Sequence, residues 1–351
     1  MNALDRVVAT ITGGLRDRPP VLPVMLMQGA KLLNVPLTDY QKDGQLIAKG
    51  QLKLLEKFGH DGVFGFPHVV QDVLPWGAGL VHFAEGPPSV SKMAIHQFSD
   101  IDKIYAPDPS SSPQLKETLR AISILKREVG SDYPVIGAAI APFSLPSMLM
   151  GTEKFMSLLL DDHAIRQQYF SKLMEESTKY VVQWCNMQAE AGADAIVLAD
   201  GIASNAVIRR DQFESFALPY VKKAISLIHV PVVYELVGGA EDRLDLIGQT
   251  GAAAAVLDFT DDLSKAATIL QNQKLALMGN LNNIASLKWS QLKMKIDVRN
   301  SLYQMENHPF IVSFQGPEVP YHMPFELIHE MIDTVKKYGM FNENKSVAKS
   351  R

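Results

Sequence analysis

The sequence predicts an α/β protein built as a single (β/α)8 barrel of the TIM type. Three observations predict it. Eight short apolar runs recur along the 351 residues, none alternating strictly between apolar and polar positions. Such runs suit strands covered on both faces, as in a parallel sheet. Stretches of helical period separate most of them. Neither G-x-G-x-x-G nor G-x-x-x-x-G-K-[ST] follows an early strand, so the open doubly wound sheet is the weaker reading.

The elements follow in order. A helix from Ala3 to Gly13 opens the chain and is placed across the barrel floor. Val21–Met27 reads as the first strand, and the stretch Asp39 to Phe58 carries broadly one apolar stripe through Leu46, Ile47, Leu52, Leu54, Leu55 and Phe58. Gly62–Phe66 is the second strand. The segment from Gln71 to Pro113 reads as an insertion with its own extended piece, Gly79–Ala84, and a Pro/Ser linker, Asp108–Pro113. Pro134–Ala141 is the third strand. The fourth, Asp194–Ala199, follows a long amphipathic helix, His163 to Ala191, which Gly192 stops. Val230–Leu236, Ala253–Leu257, Lys274–Met278 and Phe310–Phe314 complete the barrel. The remaining helices are placed at 211–228, 241–248, 262–271, 289–305 and 324–338. One domain spans residues 1–340, and a polar tail occupies 341–351.

Composition narrows the class of function. Lys and Arg number 34 against 38 Asp and Glu, a net charge of −4. A nucleic-acid partner is not expected from that balance. No run approaches the roughly 20 apolar residues of a membrane span. The opening Met1–Arg6 is polar, without a signal-peptide core. Cys185 is the single cysteine, which excludes an internal disulfide and a multi-cysteine zinc site. It lies in a helical pattern and reads as a core thiol. The expectation is a soluble cytoplasmic protein with a large core and a small-molecule substrate.

In a barrel of this type the chemistry sits at the carboxyl ends of the strands, where the loops converge. Reading off those ends gives Gln28, His68, Pro142, Asp200, Glu235, Asp258, Asn280 and Gln315, seven of them polar. Glu235 stands out because it interrupts an apolar run, where an unpaired carboxylate costs several kcal/mol. Glu235 and His68 are the candidate catalytic residues. Asp200, Asp258, Asn280, Gln28 and Gln315 are candidate substrate contacts, although the two aspartates also suit helix capping. The turn after Gln315 brings in His322. Carboxylates crowded at one mouth repel, so a proton, a cation or a donor-rich ligand must sit among them. The histidines show no metal-ligand spacing, and no metal site is assigned.

Several short pieces, in order, resemble the uroporphyrinogen decarboxylase superfamily. They are Asp17-Arg18-Pro19-Pro20-Val21, Phe83-Ala84-Glu85-Gly86-Pro87, Ala191-Gly192-Ala193-Asp194-Ala195, Phe216-Ala217-Leu218-Pro219-Tyr220, Met278-Gly279-Asn280-Leu281 and Gly316-Pro317-Glu318-Val319-Pro320. The resemblance implies a (β/α)8 barrel and either decarboxylation of a porphyrinogen or methyl transfer of the corrinoid and thiol type. It also implies a corrinoid or a divalent metal as cofactor and a corrinoid protein as partner. The decarboxylase R-Q-A-G-R motif falls on Met27-Gln28-Gly29-Ala30-Lys31, which keeps neither arginine and makes Lys31 a candidate substrate contact. The methyltransferase zinc ligands, His-x-Cys and a later Cys, fall on Glu235, Val237 and Gln315. No thiolate remains, so the expected activity is methyl transfer without the usual cysteine zinc site. Porphyrinogen decarboxylation and ligand binding without catalysis are the alternatives.

Overall fold

The computed structural model describes residues 1–161, 164, 166–273 and 275–341. Its strands are β1 (Val63–Phe64), β2 (Gly79–Phe83), β3 (Gly86–Lys92), β4 (Val135–Ile140), β5 (Ala195–Ala199), β6 (Val232–Glu235), β7 (Ala254–Val256), β8 (Ala276–Leu281) and β9 (Phe310–Phe314). Seven of them form one parallel sheet in the order β1-β4-β5-β6-β7-β8-β9. The sheet is curled and consistent with a TIM-type barrel. Seven of the eight apolar runs thus contain strands.

The first run, Val21–Met27, is not a regular strand. Pro20 and Pro23 have no N–H to give to a ladder. Only Val21 is bridged, to Val312 of β9. Even so, this segment lies between the two sheet edges. Val312 N donates to the Pro20 carbonyl, Leu22 N donates to Val312, and Asp61 N, just before β1, donates to Val21.

Two apolar layers follow from strand parity. Side chains two residues apart share a face, and Leu22, Leu26, Phe64, Phe66, Ile136, Ala138, Met278 and Ile311 cluster in the interior of the sheet. Val7 and Ile11 of the opening helix, Ala3–Thr12, join this cluster. Gly13 ends that helix in the left-handed conformation at φ 73°, where glycine carries no Cβ penalty. The opposite strand faces, with Ile196, Leu198 and Tyr234, pack into the larger cluster that holds Val181, Trp184 and Cys185 of the helix Ser171–Glu190. Each fully buried Leu, Val or Phe in these layers contributes about 1.5–3 kcal/mol.

A buried ion network ties the opening helix to the sheet. The Asp61 carboxylate accepts from Arg6 at 2.7 Å, from both terminal nitrogens of Arg18 at 2.7 and 2.9 Å, and from the Val21 amide at 2.7 Å.

Several boundaries differ from the sequence reading for local reasons. The stretch 39–58 splits, because Asp43 accepts from the Gln45 and Leu46 amides and starts a new helix, Gly44–Phe58. Within 71–113, the extended piece is half of an antiparallel hairpin: β2 turns at Ala84-Glu85 and returns as β3 despite Pro87 and Pro88. The helix start at His163, the strand start at Lys274 and the tail from Asn342 onward lie outside the described residues. No described helix is long and apolar enough to cross a membrane.

Candidate active site

At the carboxyl end of the sheet lies a small cavity with a free volume of about 20 Å3, room for one or two water molecules. Leu26, Phe66, Ala138, Val197, Val256 and Met278 form its apolar wall, and Glu235 and Glu318 are its acidic members. No lysine or arginine is among the described residues that line it.

Glu235 ends β6 with its side chain on the same face as Val233, toward the interior. It is 4% exposed. Burial, with the Glu318 charge as a smaller cause, pushes its carboxyl up to about 8. Glu318 is partly buried, and burial pushes it up to about 7.

The loop after β9 aims Glu318. Gly316 opens the turn at φ 78°, a conformation that favours glycine. Val319 N then donates to the Val24 carbonyl at 2.8 Å. Asn283 Nδ2 donates to the Glu318 carbonyl at 3.1 Å. Gln28 Nε2 donates to the carbonyls of Val319 and Pro320 at 3.0 and 2.9 Å. Gln28 therefore holds the loop that carries Glu318.

The other sequence candidates do not line this cavity. Asp200 is fully buried and follows β5 on the face opposite Val197, where Ser144 Oγ and Tyr234 OH each donate to it at 2.6 Å. Burial raises it to about 6 against those two hydrogen bonds. His68 sits between Phe66 and Val69, which face the cavity, while its own ring lies 6.1 Å from that of His82 on the hairpin. Burial, helped by His82, lowers it to about 3, so the ring is neutral at physiological pH.

Asp258, Asn280 and Gln315 join the loops after β7, β8 and β9. Asp258 accepts from Thr260 N and Oγ1 at 3.0 and 2.7 Å. Asn280 Nδ2 donates to the carbonyls of Asp258 and Asp261. Gln315 Oε1 accepts from Phe259 N at 2.8 Å, and its Nε2 donates to Asn283. Asn280 also borders a separate open cleft of about 640 Å3, with Asp261, Trp289, Lys293 and Asp297.

Lys31 and His322 stand at the rim. The Lys31 ammonium lies 4.1 Å from the centre of the Tyr321 ring. His322 Nε2 is 3.3 Å from Glu85 Oε2 at the hairpin turn, both side chains exposed.

Glu318 was not singled out from the sequence. A glutamate three residues past a strand, in a Gly-Pro turn, looks like ordinary loop polarity. Only the turn geometry reveals its direction.

The zinc set implied by the resemblance does not fit this site. Val237 has no ligand atom, and both amide atoms of Gln315 are engaged by protein groups. Among the described residues, no group of three His, Cys, Asp or Glu side chains is placed to hold a metal ion. Cys185 is buried in the core, and burial pushes its thiol well above the usual range.

Fold and cavity together define an α/β protein whose curled parallel sheet, consistent with a TIM-type barrel, holds a small acidic hollow at the carboxyl ends of its strands. The chain belongs to the uroporphyrinogen decarboxylase (URO-D) family, whose model matches residues 2–338. A uroporphyrinogen decarboxylase of Geotalea daltonii is 30% identical over 247 residues, covering 69% of this chain and 70% of that protein. The methylcobamide:CoM methyltransferase MtbA of Methanosarcina mazei is 30% identical over 205 residues, 57% of this chain and 58% of its own length. In fold, the chain is similar to a solved methyltransferase from Methanosarcina mazei, with a TM-score of 0.87 at 20% identity over 96% of this chain and 99% of that one.

Proposed function

We propose that this family member is a closed (β/α)8-barrel enzyme that transfers a methyl group between a small molecule and a corrinoid, without a cysteine zinc site. The opening helix and the β2–β3 insertion belong to its single domain, residues 1–340. The observation that carries the reading is the cavity's charge: two carboxylates, an apolar wall and no lining cation. Uroporphyrinogen carries eight carboxylates, and the described residues of this cavity offer no lysine or arginine to receive them. Each charge-assisted contact that lysine or arginine would supply is worth about 1.5–3 kcal/mol and is missing. The free volume also suits a small group rather than a macrocycle. The methyltransferase among the relatives supports the corrinoid as co-substrate and a corrinoid protein as partner.

In this reading Glu235 is the acid–base residue. A carboxyl titrating near neutrality can take a proton from an acceptor atom and return it. Glu318 faces it from the loop after β9, and Gln28 positions Glu318. Gln315, Asn280 and Asp258 fix the loops around the mouth, while Lys31 and His322 flank its entrance. His68, neutral and turned toward His82, supports the wall. Asp200 anchors β6 from behind through Tyr234.

The test is paired. Purified protein is given methylcobalamin with a panel of small thiol and amine acceptors, and separately uroporphyrinogen. We expect demethylation of the corrinoid with at least one acceptor, and no coproporphyrinogen. Coproporphyrinogen formation, or an inert corrinoid with every acceptor, overturns the reading.

A further inference from the structure

We infer that the cavity at the mouth binds a small organic cation, an alkylammonium head group, with its charge between the carboxylates of Glu235 and Glu318. The inference rests on the proposed function, since it names the substrate class of the same site, but its test stands apart.

Glu235 is 4% exposed and lines the hollow. Among the described residues neither glutamate side chain has a hydrogen-bond donor or an ion-pair partner. This contrasts with the other buried acids at this end of the sheet. Asp200 receives two hydroxyls. Asp261 receives the amides of Ala240, Glu241 and Asp258. Asp72 receives the amide of Ile140. A buried acid without such donors is costly unless a partner arrives.

The wall fixes which cation. Carboxylate and water ligands in near-octahedral array suit a hard divalent ion, whereas this hollow offers two carboxylates among Leu26, Phe66, Ala138, Val256 and Met278. A methyl-bearing ammonium matches both parts, with its charge on the glutamates and its methyl groups on the apolar wall. The free volume of about 20 Å3 limits the head group to about two heavy atoms, the size of methylammonium. Lys31 lies over the Tyr321 ring and is not among the residues that line the hollow.

Ligand-observed NMR and calorimetric titration of the full chain with methylammonium test the idea, with methanol and formate as neutral and anionic comparisons of similar size. We expect saturable binding of methylammonium alone, weakened at least tenfold in Glu235→Gln and in Glu318→Gln, each checked for native circular dichroism. Should Glu235→Gln fail to fold, Glu318→Gln, on a partly exposed loop, decides the matter. Equal binding of methanol, unchanged affinity in the folded variants, or binding of Zn2+ or Mg2+ through these glutamates without methylammonium binding overturns the inference. Corrinoid demethylation without methylammonium binding sinks this inference alone. Methylammonium binding with an inert corrinoid sinks only the methyl-transfer reading.

Discussion

The Tyr234 hydroxyl donates a 2.6 Å hydrogen bond to Asp200, and the next residue along the strand, Glu235, turns the other way into the cavity. One strand thus carries an anchor on its outer face and the cavity's buried carboxyl on its inner face. Tyr234→Phe removes a hydroxyl from a buried carboxylate, which costs about 1.5–3 kcal/mol. We expect the denaturant midpoint to fall with an unchanged m-value. The loss should be larger at pH 8 than at pH 5, because Asp200 titrates near 6 and its ionised form is the stronger acceptor. Equal losses at both pH values would contradict this account.

Glu235 makes stability depend on pH in a definite direction. Its carboxyl rises from the usual 4.5 to about 8 on folding. Between those values the unfolded chain has already lost the proton that the native protein keeps, so this residue lowers stability as pH climbs from about 4.5 to about 8. Glu235→Gln removes that dependence. Thermal melts at pH 5.5 and 8.5 should show the wild type losing more than the variant, by a few kcal/mol in unfolding free energy.

Asp61 is a position where one substitution removes several buried contacts at once. It neutralises Arg6 and Arg18 in the interior and caps the Val21 amide. Asp61→Ala leaves the buried Arg18 guanidinium with only the Pro19 carbonyl, while Arg6 keeps its pair with Asp17, a loss of about 3–5 kcal/mol. The expected result is a poorly expressed chain or a clearly lowered melting temperature. A melting temperature within a degree of wild type would show that the network contributes little.

Cys185 should be inert. It is fully buried, and its thiol is held protonated; the thiolate is the reactive form. Alkylation by iodoacetamide at pH 8 should be complete in denaturant and negligible in the native protein over the same hour.

How far the sequence carries can be judged residue by residue. The strands after the first were legible because a sheet covered on both faces leaves continuous apolar runs. Val21–Met27 misled because its prolines preserve the apolar pattern while deleting the donors a ladder needs. Glu235 was legible because a carboxylate inside Val232–Leu236 has no bland place to go. Asp200 read as a substrate contact at the same mouth, yet Ala199 pairs with Glu235 across the sheet, and that register turns Asp200 to the opposite face. Register is a relationship between distant segments and leaves no local trace. Glu318 was hidden for a similar reason: its direction depends on contacts with Val24, Gln28 and Asn283, all far away in the chain.

Val7 and Ile11, stoppering the end of the sheet remote from Glu235, have a kinetic corollary. On the methyl-transfer reading proposed above, the mouth beside Glu235 is then the way in and the way out. A spent molecule obstructs its successor there, and product inhibits competitively against the first reactant to bind.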